Sequence, residues 1–430
     1  MSRRCISSLL LLLLAWAWTV LPAKAQLRGH GGPVRALALS ADGTQLASGS
    51  FDATAILWSL GAGTAEKVLR FHDGALNAVA WLGRERIATG GEDARIAIWQ
   101  RGQEQPVEVL LGHSAPIVAL ALSPDGKTLA SASWDNTARL WPLAGGTART
   151  LEGHRQHVNG VAFTKDGGAV VTVSYDQTLR IWPLAGTGAA RITTLPAPLN
   201  AVVVAEAGDL IAAGATGKVF FLSAAGDLEA ELDAAAAPLI ALAISADGKQ
   251  IAASSIRGAV AIIGHDNRQV ERTLVGPGLP AWSVVFLPDN RGLLTGGGDR
   301  VIRRWDTQTG EQAGEVALGA PADPLAAFEA EPGAQVFRAC VACHTLRAQD
   351  GPRAGPTLAG IFGRKIATVS GYDFSPALKK LDIVWTPETL SKLFELGPAT
   401  YTPGSKMPEQ RVGAQDRREL IRFLEKATKD

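Results

Sequence analysis

From residue 34 onward the apolar positions come in short runs of period two, each closed by a turn signal. Val34-Arg35-Ala36-Leu37-Ala38-Leu39 leads into Asp42-Gly43 and then into Leu46-Ala47-Ser48. Alternation of this length around an Asp-Gly step predicts antiparallel hairpins of short strands. The unit repeats every 41 residues or so. Gly29-His30, Asp42-Gly43, Asp52 and Trp58 return as Gly112-His113, Asp125-Gly126, Asp135 and Trp141, and again as Gly153-His154, Asp166-Gly167, Asp176 and Trp182. Another copy carries His72, Thr89, Asp93 and Trp99, and a last one carries Asp289, Thr295, Asp299 and Trp305 without the His. Trp182 and Trp305 are 123 residues apart, three periods, so two degenerate copies lie between them with Leu222 and Ile263 in the Trp position. Seven copies of four short strands predict an all-β seven-bladed propeller, whose radial repetition leaves only short protected edges. Two runs compete to close the ring, Leu27-Arg28-Gly29-His30 and Glu315-Val316-Ala317-Leu318. The first is very short, so the second is expected to complete the last blade.

Beyond residue 331 the period changes to that of helices. Leu420, Phe423, Leu424 and Ala427 fall at i, i+3, i+4 and i+7, which predicts a terminal helix. Asp416 followed by Glu419 suggests where it begins, as an acidic variant of a capping box. Pro332 suits a first helical turn and starts a helix that places Gly333 and Phe337 on one face. A stretch with Pro321 and Pro324 separates the two regions as a linker. The chain therefore divides into a β-propeller over 26–318, a linker over 319–331 and an all-α domain over 332–430.

The first 25 residues stand apart. Arg3 and Arg4 precede a 13-residue apolar run from 9 to 21, followed by Ala23-Lys24-Ala25. This is the layout of a cleavable secretory signal peptide; the run is short of the ~20 residues a spanning helix needs. The expectation is export to the periplasm, with no stable membrane span after cleavage. Removing 1–25 leaves 39 basic and 41 acidic residues, a balance that argues against nucleic acid as partner. It also leaves two Cys, Cys340 and Cys343, and one Met, Met407.

The repeat, from 27 to about 318, resembles the WD-repeat family. The resemblance implies a hydrogen-bonded tetrad in each well-kept blade: His30, Ser48, Asp52 and Trp58; His72, Thr89, Asp93 and Trp99; His113, Ser131, Asp135 and Trp141; His154, Thr172, Asp176 and Trp182. A His-Ser-Asp set invites comparison with a hydrolytic triad. Four near-identical sets at blade spacing describe architecture instead, since an active site would occur once. No catalytic residues are assigned.

Cys340-Val341-Ala342-Cys343-His344 carries the chemistry. C-x-x-C-H is the attachment pattern of covalent haem: each thiol adds across one vinyl group and the adjacent His becomes an axial ligand. A zinc site would need about four ligands, and the mature chain has no further Cys. A redox disulfide is the remaining alternative, and it gives His344 no role.

Downstream come Gly355-Pro356-Thr357-Leu358, Gly363-Arg364, Gly371-Tyr372, Trp385 and Pro403-Gly404-Ser405-Lys406-Met407. This closely resembles class I cytochrome c of the mitochondrial and bacterial-homologue type, from Gly333 to Asp430. The resemblance implies one covalent haem c held by Cys340 and Cys343, with His344 and Met407 as the axial iron ligands. It further implies that the Pro356 carbonyl orients His344, that Leu358 packs on the ring, that Arg364, Tyr372 and Trp385 donate to the propionates, and that Ser405 sits near Met407. Phe394 departs from the family, which commonly has Tyr there.

With both axial positions filled, the expected role is electron transfer rather than substrate turnover. Residues 26–324 carry 24 basic and 29 acidic side chains, and 325–430 carry 15 and 12. Lys365, Lys379, Lys380 and Lys406 could form a basic haem rim for acidic redox partners, or be ordinary solvated lysines. The propeller is expected to be a protein-interaction platform for periplasmic redox proteins. It could instead serve only as a docking surface for the fused cytochrome. A further alternative makes it an oxidoreductase domain with its own cofactor feeding electrons to the haem, although it has no Cys or Met and only His157 and His265 outside the tetrads.

Overall fold

A computed structural model describes residues 26–312 apart from 186 and 187, and residues 325–429 apart from 329, 339, 342, 351, 373, 406, 408 and 409. The segment read as a signal peptide, and most of the linker, lie outside the described residues. Among the described residues, twenty-eight strands form seven four-stranded antiparallel sheets. Blade 1 uses Val34–Leu39, Gln45–Ser50, Thr54–Ser59 and Thr64–Arg70, and each later blade repeats this meander through to Val301–Asp306. The degenerate copies, with Leu222 and Ile263 in place of Trp, build complete blades all the same.

Ring closure differs from the expectation. The outer strand of the last blade is Gln26–Arg28, whose residues pair with Arg303, Ile302 and Val301. Shortness does not disqualify this run, because the outer strands Glu108–Leu110 and Arg149–Leu151 are also three residues long. An outer strand needs only to cap the edge of its blade, and Leu27 is 5% exposed between its neighbours. The run 315–318 lies outside the described residues. Closing the ring with the N-terminal strand fastens the first blade to the last non-covalently.

Every innermost strand slips register at its second residue, as between Val34 and Ala36 or Val158 and Gly160. The slip is a β-bulge that re-aims one side chain per blade. Asn159 uses it to donate to the Leu199 carbonyl of the next blade at 2.9 Å, and Asn200 does the same to Leu239 at 2.7 Å. Between blades the packing is apolar: Leu57 and Leu69 of blade 1 meet Leu76, Trp81 and Trp99 of blade 2 in one buried cluster.

The four tetrads are formed. His30 Nδ1 lies 3.1 Å from Asp52, its Nε2 lies 2.7 Å from Ser48 Oγ, and Trp58 Nε1 donates to the same hydroxyl at 2.7 Å. His72, His113 and His154 repeat the arrangement. Burial alone would raise the pKa of Asp93 and Asp135; hydrogen bonds from His72 and His113 outweigh it and hold both well below the ordinary carboxylate range. In the last blade Arg303 stands in for the missing His by pairing with Asp299, while Trp305 still donates to Thr295 at 2.9 Å. The hydroxyl is the hub of each set. Thr172→Val keeps the shape but leaves His154 Nε2 and Trp182 Nε1 without their shared partner. We expect a loss of about 1–3 kcal/mol for each orphaned group, measurable by denaturant unfolding of the propeller.

The C-terminal domain is helical: α1 Pro332–Phe337, α2 Pro376–Lys379, α3 Pro387–Leu396, α4 Pro398–Tyr401 and α5 Ala414–Ala427. Helix α5 begins two residues before Asp416, and its N-cap is Gly413 with no side-chain hydrogen bond, so the expected capping box is not formed. Asp416 instead lies in the first turn, where its charge complements the helix dipole. Helices α1 and α5 cross at Gly333, where a Cβ would overlap the Glu419 carbonyl and stand 2.6 Å from Phe423 Cβ. Phe337 and Phe423 pack beside it with ring centroids 5.5 Å apart. Gly333→Ala is expected to separate the helices and cost roughly 1–3 kcal/mol, read as an earlier thermal transition of the helical domain. No helix among the described residues is long and apolar enough to cross a membrane.

Candidate functional site

The C-x-x-C-H segment follows α1 directly. The Cys340 N–H donates to the Phe337 carbonyl at 2.7 Å, and Cys343 and His344 N–H both donate to Cys340 O, at 3.1 and 3.0 Å. This tight turn brings two thiols and an imidazole together. Both cysteines are free thiols. Burial pushes each up to about 11; the neighbouring thiol adds to this for Cys340, and Asp52 of blade 1 for Cys343. Gly31 leaves the space that Cys343 Sγ takes up against the propeller, since a Cβ there would overlap the sulfur.

His344 is half-buried. Burial lowers its pKa, and the bond to Pro356 only partly offsets that, so the ring is held neutral, the form that binds iron. Its Nδ1 lies 2.8 Å from the Pro356 carbonyl. The loop closes this tightly because residue 355 is Gly: a Cβ there would stand 2.5 Å from His344 Cε1 and 2.9 Å from the Cys343 carbonyl. With Nδ1 committed, Nε2 is the nitrogen left for a metal.

Met407 packs in the same apolar cluster as Cys340, Leu358, Trp385 and Phe394, which is buried. The Met407 N–H donates to Ser405 Oγ at 3.1 Å, so Ser405 fixes the turn that carries the thioether. Leu358 is tied by its N–H to Thr345 O at 2.8 Å. Arg364 donates to the carbonyls of Ala359 and Thr357 at 2.7 and 2.9 Å and so braces the loop around Leu358. Trp385 exchanges backbone bonds with Gly363 and Arg364, at 2.8 and 2.9 Å. Tyr372 OH donates to Ala354 O at 2.9 Å, and Arg70 of the propeller lies 3.9 Å above its ring. Lys365 is paired with Asp382 at 2.8 Å, and Lys406 lies outside the described residues.

Sequence reasoning did not single out Arg70, Gly31 or Arg353, which form the seam between the domains. No local motif marks them; they matter because of where the two folds meet.

Comparison with known families decides the matter. The family described as Cytochrome c matches residues 330–428. Cytochrome c of Cochliobolus lunatus is 43% identical over 103 residues, covering 94% of that protein and 24% of this chain. The chain belongs to the cytochrome c family. Cytochrome c of Arabidopsis thaliana is likewise 43% identical over 103 residues, covering 91% of that protein and 24% of this chain, and cytochrome c 2.1 of Caenorhabditis elegans is 39% identical over the same length and the same shares. WD domain, G-beta repeat, matches residues 22–59, 104–142, 145–183 and 268–306, so a WD-repeat propeller precedes the cytochrome c domain. The cofactor of the cytochrome c family is covalent haem c. The residues present suit it: two free thiols in one turn, a neutral imidazole with one nitrogen already tied, a glycine cradle against that ring, and a thioether in the same apolar core.

Proposed function

We propose that the chain is an exported electron-transfer protein whose haem c is bound by Cys340 and Cys343 through thioether bonds and ligated by His344 and Met407. The observation that carries this reading is the His344 Nδ1 contact with Pro356 O, 2.8 Å, which leaves one imidazole nitrogen for iron beside the two thiols. The haem supplies a one-electron Fe(III)/Fe(II) couple. The protein's part is to hold the ring in an apolar core, fix the orientation of His344 through Pro356, and present Met407 from the turn set by Ser405. With His344 and Met407 both holding the iron, the site would offer no open position for substrate.

The propeller, in this reading, is the platform that brings a redox partner to the haem. Exposed aromatic side chains support it. Phe51, Trp134 and Tyr175 occupy the same place in three blades, immediately before the tetrad Asp, at 43%, 41% and 39% exposure. Trp134 and Tyr175 both stack on His157, with centroids 5.0 and 6.1 Å away, a cluster of the kind protein interfaces use as an anchor. Of the lysines considered for a basic rim, Lys365 spends its charge on Asp382.

Export is tested by producing the full chain in a bacterium that matures c-type cytochromes. The expected product is periplasmic, begins at Gln26 and contains one haem per chain. A haem-free protein that retains Met1 and stays in the cytoplasm would overturn the reading.

A further inference from the structure

The outer strand of blade 1, Thr64–Arg70, ends against the loop that carries Pro356. Arg70 Nη2 donates to the carbonyls of Arg353 and Ala354, at 2.7 and 2.9 Å. Tyr372 OH donates to the same Ala354 carbonyl at 2.9 Å, and Arg70 covers the Tyr372 ring. The Ala354 N–H in turn donates to Gly29 O of the propeller at 3.1 Å. Both backbone groups of Ala354 are thus held by hydrogen bonds that involve blade 1 or the approach to it.

Two residues further on is the Pro356 carbonyl that meets His344. Little freedom lies between the two points. Peptide units are planar, proline fixes its own φ, and the intervening Gly355 N–H is tied to Cys343 O at 2.8 Å. A shift at Ala354 is therefore passed to the Pro356 carbonyl rather than absorbed.

We propose that Arg70 is a positioning residue for His344: by clamping residues 353 and 354 to the propeller, it holds the Pro356 carbonyl on His344 Nδ1 and so tunes the potential of the haem in the neighbouring domain. This rests on the haem site proposed above. A firm hydrogen bond at Nδ1 makes the imidazole a stronger donor, which favours Fe(III) and lowers the reduction potential. Freeing the loop weakens that bond and raises the potential. Losing a nearby positive charge acts in the opposite direction, so the two causes are separable by sign. Lys keeps the charge but loses the rigid, planar guanidinium that aims Nη2 at both carbonyls and covers the Tyr372 ring.

The test uses the full-length, haem-loaded protein as wild type, Arg70→Lys and Arg70→Met. Two quantities are measured: the midpoint potential by redox titration, and the solvent exchange rate of the His344 Nδ1 proton by NMR. Arg70→Lys is expected to raise the potential with the visible spectrum unchanged. Arg70→Met is expected to speed exchange of the Nδ1 proton by roughly tenfold, as the loss of one net hydrogen bond from the closed state predicts. A potential that is unchanged or lowered in Arg70→Lys, or exchange at the wild-type rate in Arg70→Met, would overturn the proposal; so would a lower melting temperature with both quantities unmoved. Failure of the underlying site shows differently, as a wild-type spectrum without axial His344 and Met407.

Discussion

Replacing both Cys340 and Cys343 with Ala is expected to abolish covalent haem attachment. The two thiols are the only groups in the chain after residue 25 able to form thioethers, and both sit in the one turn that also presents His344. On a denaturing gel stained for haem peroxidase activity the wild type should give a band at the mass of the chain that begins at Gln26, and the double variant none. The effect should reach beyond the cofactor. Cys340, Leu346, Leu390, Phe394 and Leu424 belong to one buried cluster with Met407 and Trp385 against it, and a core built around a large planar ring loses its largest apolar element when the ring is absent. The propeller should be much less affected, because its blades pack on one another through their own clusters. Haem staining that persists in the double variant would remove the assignment.

The second large effect is expected at Met407, the proposed second axial ligand. Met407 is the sole thioether in the chain after residue 1, so no neighbouring sulfur can take its place. Met407→Ala is expected to eliminate the methionine-to-iron charge-transfer band, convert the ferric haem to a spectrum of altered spin state and let carbon monoxide bind the ferrous form. A lower potential should accompany this, since loss of the soft sulfur ligand removes a preference for Fe(II). The covalent haem itself should remain. An unchanged spectrum in Met407→Ala would show that iron takes its sixth ligand from elsewhere.

The repeat was readable because its signals are local: Asp-Gly turns, alternating apolar positions and a Trp at constant spacing each act within one blade. Blades five and six could still be counted, although their Trp positions hold Leu222 and Ile263, because the spacing from Trp182 to Trp305 survives when the side chains change. Ring closure is not legible locally because it depends on a strand pairing more than 270 residues away in the chain, where length is a weak guide: Gln26 opposite Arg303 is an encounter of the two ends of the array. Arg303 is a second case. Nothing in the sequence marks it as the replacement for a missing His until folding puts it beside Asp299. The start of α5 shifted for a smaller reason: Gly413 ends the preceding loop with its own backbone geometry, so the helix begins before the side chain chosen as its cap.

The residues proposed to hold the haem stand out in the sequence for the opposite reason. Cys340, Cys343 and His344 are adjacent in sequence, and composition isolates Met407. The seam between the domains was not legible. Arg70 reaches across 283 residues to the Arg353 carbonyl, and its partners are backbone oxygens, which leave no trace in side-chain identity. The bulges that aim Asn159 and Asn200 into neighbouring blades were missed likewise, since a one-residue slip does not disturb the alternation by which the strands were found.

In the proposed function a single haem held by His344 and Met407 passes one electron at a time, and the propeller contributes no redox centre of its own. The most direct test is a coulometric redox titration of the intact, purified protein with carbon monoxide added at the reduced end. The expected result is one electron per chain in a single Nernstian wave, matching one haem per chain, and no carbon monoxide complex. A second electron per chain that the haem does not explain, or a ferrous protein that binds carbon monoxide freely, would contradict it.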